Sequence, residues 1–477
     1  MKQIKSPTIF QALFPIIFLV VLLTINVSVF GDDALSGSIQ IVLILSSAVA
    51  SIIAFNLGFT WLEIQKGIVK SINSSIPSIL ILFLVGSLAG SWLLSGIVPA
   101  FIYYGIQILN PKIFLFAACI ICIVVSMATG SSWTTSATIG IALIGIGRAL
   151  DISDGLVAGA ILSGAYFGDK MSPLSDTTNL APAMAGSDLI SHIKYLSLTT
   201  VPSIIISLIV FIILGLNISD NIGLNNAEII SNSILDKFYI SPVLFIVPLV
   251  VIILIYNKIK AVPALFIGVI LGSVFALIFQ SNLVLEVSNS SSNSWKALFS
   301  GTMISLYGSI SIDASNEMVS KLLSSSGMFG MLGTIWLVIC AMIFGGVMEK
   351  AGFLKKIISI ILNKIKSTGS LISSTAGTCI FFNLTASDQY ISIVVPGKMY
   401  SSIYKEKGLA PENLSRTLED SGTVTSVLVP WNTCGAYHAS VLNVATLTYL
   451  PYCFFSLISP IMTILFAYLR IKIKKLN

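Results

Sequence analysis

Roughly a dozen apolar runs of 16 to 25 residues, bounded by charges or turn residues, make up most of this 477-residue chain. At 1.5 Å per helical residue each run is long enough to cross a hydrocarbon core about 30 Å thick. Stretches such as 15–23 are apolar on every side, whereas a membrane β-strand needs about ten residues of alternating polarity. Charged residues make up only 10% of the chain, against about a quarter in soluble domains. A soluble globule and a β-barrel are both excluded, and an all-α polytopic membrane protein is predicted.

Lys2 and Lys5 precede the first apolar run in the manner of a signal peptide, but no small-residue cleavage pattern follows, so a retained first helix is expected. The net charge of +6 comes from basic residues scattered between apolar runs, which argues against a nucleic-acid face. The six cysteines, including Cys119 and Cys122 at a redox-like spacing, lie in or beside apolar segments and read as filler.

Spans are predicted near 9–30, 39–55, 76–99, 113–128, 195–217, 240–256, 261–280, 329–348, 370–387 and 451–470. The stretches 129–192 and 388–450 have membrane-like composition but are interrupted by Gly, Pro, Asp, Asn, Ser and Thr. With the first residues inside, 16 of the 26 Lys and Arg fall on the cytoplasmic side and only Lys112, Lys237, Lys296 and Lys321 outside, so both termini are predicted to be cytoplasmic. Three parts follow: a first transmembrane half at 1–217, an extracytoplasmic linker at 218–239, and a second half at 240–477 with a polar loop at 281–328 carrying one short amphipathic helix and the serine-rich tract 288–294.

The halves carry weak self-similarity. Residues 129–132 align with 385–388 at an offset of 256, Pro173 aligns with Pro430, and the flanking spans match at similar offsets. The charge pattern gives 76–99 an outward course and 329–348 an inward one. An inverted-repeat bundle of about 10 to 13 transmembrane helices with broken or re-entrant segments is therefore expected.

The densest polar cluster at membrane depth is the stretch 163–182. Irregular backbone in a bilayer is tolerated only where protein or a water-filled cavity satisfies it. Its hydroxyls, amide oxygens and bared carbonyls are hard ligands that suit a small monovalent cation and would not hold a transition metal. A carboxylate at that depth costs some 2.5–3.5 kcal/mol on insertion scales and is normally kept for an ion or proton role. Asp169 and Asp176 are the candidates here, and Asp388 and Asp420 in the second interrupted stretch. Arg416, one turn away, could instead make Glu419 or Asp420 a structural pair. Ser131, Ser132, Ser172, Thr177, Thr178, Asn179, Asn383, Asn432 and Thr433 are candidate neutral ligands or gate residues, although hydroxyls at 129–136 also serve as helix-packing glue. Lys170 either tunes Asp169 or anchors an anion. His192 is expected at an interface, and His438 is a weak candidate for a pH-responsive group. No nucleotide-binding, zinc-protease or nucleophile-elbow motif is present, so an ion gradient must supply the driving force and no cofactor is expected.

The stretch 163–182, with 130–137 and 429–436, resembles the NhaC family of sodium/proton antiporters within the ion-transporter superfamily. The resemblance implies a multi-pass inner-membrane antiporter, not an enzyme, exchanging cytoplasmic sodium for external protons. Some relatives exchange a dicarboxylate such as malate for lactate while moving sodium and protons, so a small organic anion is the alternative substrate. Lys170 would then be its anchor. An ion channel is the rival from another class, and an embedded enzyme lacks a catalytic set.

The charge bias predicts that tags at both termini are accessible only from the cytoplasm, while residues 225–235 label from outside with an impermeant maleimide. Opposite labelling of the two termini would overturn the inverted arrangement.

Overall fold

The computed structural model describes residues 4–30, 37–108, 110–218, 220–289, 294–313, 320, 322–362 and 367–476; Lys321 and residues 290–293 of the serine-rich tract lie outside them. It is 82% helical. In chain order the helices are α1 (Ile9–Phe30), α2 (Ser38–Asn56), α3 (Trp61–Leu94), α4 (Ile97–Ile108), α5 (Pro111–Thr129), α6 (Ser132–Thr135), α7 (Ile141–Ala149), α8 (Asp154–Met171), α9 (Asp176–Ala185), α10 (Leu189–Leu216), α11 (Asp220–Lys237), α12 (Ile246–Tyr256), α13 (Ala261–Phe279), α14 (Ser281–Val287) and α15 (Trp295–Tyr307). After them come α16 (Leu332–Lys350), α17 (Phe353–Leu362), α18 (Thr368–Thr385), α19 (Gln389–Glu406), α20 (Pro411–Leu418), α21 (Thr433–Leu442), α22 (Thr446–Tyr449) and α23 (Phe454–Tyr468).

Among the described residues seven helices are long and apolar enough to span a membrane, and two bent pairs raise the number to nine. These pairs are Ile229–Lys237 with Pro242–Tyr256, bent by 87°, and Thr446–Tyr452 with Phe454–Tyr468, bent by 55°. Around the interrupted stretches the helices are short and broken, as α6, α7, α9 and α21 are. The span expected at 76–99 is instead α3, 34 residues long. Thr60 and Glu63 form a reciprocal capping box that starts this helix some four turns early, and at about 51 Å it must project beyond the hydrocarbon. The polar loop at 281–328 contains α14, α15 and a two-residue hairpin pairing Ile310–Ser311 with Ser324–Ser325, more structure than one amphipathic helix.

The helix breaks recur. α5 ends at Gly130, whose φ of 70° is left-handed, and Ser131 caps α6. α18 ends near Ser387, with φ 57°, and Asp388 caps α19. Ser131 and Asp388 are 257 residues apart. So are Ser175 and Asn432, the N-caps of α9 and α21.

The position of the polar cluster depends on α5 packing against α8. Gly164 and Gly168 form a small-residue stripe one helical turn apart, which lets the two backbones approach. A Cβ on Gly168 would come within 2.6 Å of Ser126 Cβ and 2.7 Å of the Ile123 carbonyl. Ser126 Oγ in turn donates to the Ala165 carbonyl at 2.6 Å. The next residues on α8 are Asp169 and Lys170, so this seam sets where both charges stand.

Gly168→Val should destabilise the protein by about 1–3 kcal/mol through overpacking, read as a lower thermal unfolding midpoint in detergent. Gly377→Ala, where a Cβ meets nothing within 4 Å, should leave that midpoint unchanged or raise it slightly.

Candidate functional site

The two interrupted stretches meet around a cavity of about 740 Å³. Its wall includes Gly130 and Ser131 at the first break, Asp169 of α8, Ser175, Asp176 and Thr177 at the start of α9, and Gln389, Tyr390 and Thr433 from the second half. Ser74, Pro77 and Ser78 of α3 and the α12–α13 loop with Lys258 and Lys260 complete it.

Asp169 is 7% exposed and is the most enclosed carboxylate on this wall. Its Oδ2 accepts from the backbone N–H of Ser132 at 3.0 Å and from the Ser132 hydroxyl at 2.7 Å. The break between α5 and α6 makes that geometry possible by freeing the first amides of α6. Asp176, expected to be buried, is exposed and stands on the wall at the first position of α9. An acid there meets the positive end of the helix, as acids at helix starts ordinarily do.

Asp388 is buried at 2% exposure but is not among the cavity-lining residues. Its Oδ1 accepts from the Ile391 N–H at 2.9 Å, which makes it the N-cap of α19.

Lys170 points away from the cavity and is fully buried. It forms an ion pair with Asp420, also fully buried, and donates to Ser459 Oγ at 2.8 Å. Asp420 also accepts from Ser459 at 3.0 Å and from Thr199 at 2.8 Å. Both its oxygens are thereby engaged, so Asp420 is the counter-ion of Lys170. This corrects two expectations. Lys170 serves neither Asp169 nor the cavity, because adjacent residues on a helix point about 100° apart. Arg416 does not pair with Asp420; its guanidinium lies over Tyr195, 4.5 Å from the ring centroid.

Most of the neutral candidates hold irregular backbone. Ser131 caps α6 by accepting from Thr134 N at 3.2 Å. Ser172 donates to the Met127 carbonyl at 2.9 Å, and Thr178 to the Lys170 carbonyl at 3.0 Å. Asn179, which is exposed, donates to Pro173 and Ser175 carbonyls. Thr177 Oγ1 lies 3.2 Å from Ser175 Oγ on the cavity wall. Asn383 donates to the Gly422 carbonyl at 2.7 Å, and Asn432 to the Asn383 carbonyl at 3.1 Å. Thr433 lines the cavity, and its N–H donates to Ser387 O at 3.0 Å.

His192 is buried rather than interfacial, 2.8 Å from Ser415 Oγ. His438 is fully buried among Trp133, Tyr166 and Tyr437, with neither ring nitrogen hydrogen-bonded among the described residues. Gln389 and Tyr390 on the wall went unnoticed in the sequence although they adjoin Asp388. Ser459 and Thr199 had no signal there at all, since isolated hydroxyls in apolar runs are common.

Residues 164–471 match the sequence model of the Na+/H+ antiporter family. The chain is 37% identical over 436 residues to the Na(+)/H(+) antiporter NhaC of Alkalihalophilus pseudofirmus, covering 91% of each protein. It is 35% identical over 470 residues to the malate-2H(+)/Na(+)-lactate antiporter of Bacillus subtilis, covering 98% of this chain and 96% of that one. The arginine/ornithine antiporter ArcD of Halobacterium salinarum is 35% identical over 469 residues, 97% of this chain and 92% of that one.

Lys170→Met should lower stability by about 3–5 kcal/mol, because it strands the buried Asp420 charge. The double variant Lys170→Met/Asp420→Leu should recover most of that loss, a coupling measured by unfolding the two single variants and the double in detergent.

Proposed function

The chain belongs to the Na+/H+ antiporter family, and from that premise we propose that it exchanges sodium for protons at one carboxylate that holds either ion but never both. Asp169 is that carboxylate. The observation that carries this assignment is its place on the cavity wall, with one oxygen fixed by Ser132. Fixing Oδ2 leaves the carboxylate oriented while a cation or proton arrives from the cavity. Asp176, Thr177 and Thr433 offer further oxygens on the same wall, and hard oxygen ligands suit sodium. Obligatory exchange follows from competition: sodium displaces the proton on one face of the membrane, and the proton displaces sodium on the other.

The protein crosses the membrane many times, and the charge pattern supports a cytoplasmic membrane with both termini inside. In that orientation the loop bearing Lys258 and Lys260 is cytoplasmic, so the cavity is reached from the cytoplasm. The matched breaks, each repeated 257 residues later, support two halves, 1–217 and 240–477, joined through 218–239. The chain acts as a transporter and not as an enzyme.

The malate/lactate relative makes organic-anion exchange the second reading. Lys170 is committed to Asp420, so the cations available to such an anion are Lys258 and Lys260 on the cavity wall. Proteoliposomes loaded with sodium alone, compared with sodium plus malate or lactate, separate the two.

In proteoliposomes, an imposed pH gradient should drive 22Na+ uptake into wild-type vesicles. Asp169→Asn should reduce that uptake by about 100-fold or more, in line with loss of a proton-transferring group, while the protein still folds. Asp388→Asn should keep more than about half of it, because asparagine caps a helix nearly as well as aspartate, whereas Asp388→Ala should lower the thermal midpoint. Wild-type uptake in Asp169→Asn would show that another acid carries the ions.

A further inference from the structure

Glu419 is fully buried, outside the cavity lining, and neither carboxylate oxygen has a hydrogen-bond donor in proper geometry. It opens a π-helical turn, Glu419–Thr423, inserted between α20 and the chain that leads to α21. Single π turns recur at functional sites because the extra residue re-aims side chains. Here the turn separates two neighbours: Asp420 faces the Lys170 pair, and Glu419 faces elsewhere with no partner. A buried carboxylate without a donor must bind a proton or draw a cation to it.

No cation is bonded to Glu419 among the described residues, and Arg416 stacks on Tyr195 instead. Arg416, one turn earlier on α20, is fully buried with Nε, Nη1 and Nη2 all lacking hydrogen-bond partners among the described residues. The charged groups around Glu419 are Lys170 and Asp169 of α8 and Asp420 of its own turn, and the Thr423 hydroxyl stands beside the carboxylate. Ser421 on the turn, Ser456 and Thr463 of α23 and Thr200 of α10 are further buried hydroxyls without partners. Buried polar atoms are ordinarily paired with protein or ordered water; these hydroxyls do not bond to one another, so a proton path among them runs through water.

We propose that Glu419 is a second proton-carrying carboxylate, placed behind the sodium cavity and unloaded against the buried cation Lys170. An O–H bond forms on one carboxylate oxygen when the proton arrives and breaks when it leaves, and each water or hydroxyl oxygen on the way forms one O–H bond as it gives up another. Once ionised, Glu419 acts on Lys170 through space. Proton release is thereby linked to the ion pair that joins α8 to the second half. The proposal rests on the sodium/proton reading above.

The test compares two modes of transport in proteoliposomes. Wild-type protein should take up 22Na+ against a pH gradient and should also exchange 22Na+ for unlabelled sodium at equal pH, a mode that needs no proton. Glu419→Gln should lose proton-driven uptake by about tenfold or more and keep sodium/sodium exchange within about twofold. Glu419→Asp should restore proton-driven uptake with a displaced pH profile. Unchanged proton-driven uptake in Glu419→Gln overturns the proposal. So does equal loss of both modes in Glu419→Gln with no recovery in Glu419→Asp, since that pattern belongs to a structural residue. Wild-type protein that exchanges sodium without responding to a pH gradient would instead overturn the underlying sodium/proton reading.

Discussion

A lysine ammonium placed at membrane depth must find a counter-charge, and the arrangement of this protein turns on how Lys170 finds Asp420. The pair lies 250 residues apart in sequence. To bring it together, α8 must lie close against α5 through Gly164 and Gly168, and the π turn must deliver Asp420 to the same depth. Ser459 and Thr199 then supply the donors that a desolvated carboxylate requires. With Lys170 committed, Asp169, about 100° round the helix, faces the other way. One helix thereby presents a closed charge and an open one side by side.

The bilayer made the architecture legible. Apolar length, the positive-inside bias and the clustering of Gly, Pro and Asn at 129–192 and 388–450 each follow from a local physical demand, and the breaks fall where those residues stand. The cavity acids Asp169 and Asp176 were legible for the same reason, because polar oxygen at that depth calls for a role. What could not be read was orientation about a helix axis in tertiary context. Asp388 looked like Asp169 in composition, yet its carboxylate is spent on the Ile391 amide. The partner of Lys170 was out of reach because a contact across half the chain leaves no trace in either neighbourhood. The early start of α3 was written in Thr60 and Glu63, a capping signature hidden beside a run read for hydropathy alone.

The division between the two charge environments bears on coupling. With Asp169 as the proposed carrier, a sodium ion and a proton neutralise the same negative charge, so the loaded site carries the same net charge on either half of the cycle. The ionised, empty site is the state that a low-dielectric passage penalises, and that penalty suppresses return without cargo. The Lys170–Asp420 pair is neutral in both loaded states and adds no bias. Glu419, as proposed, passes that same proton onward and leaves this charge balance unchanged, so the pH gradient expels sodium without a net charge crossing.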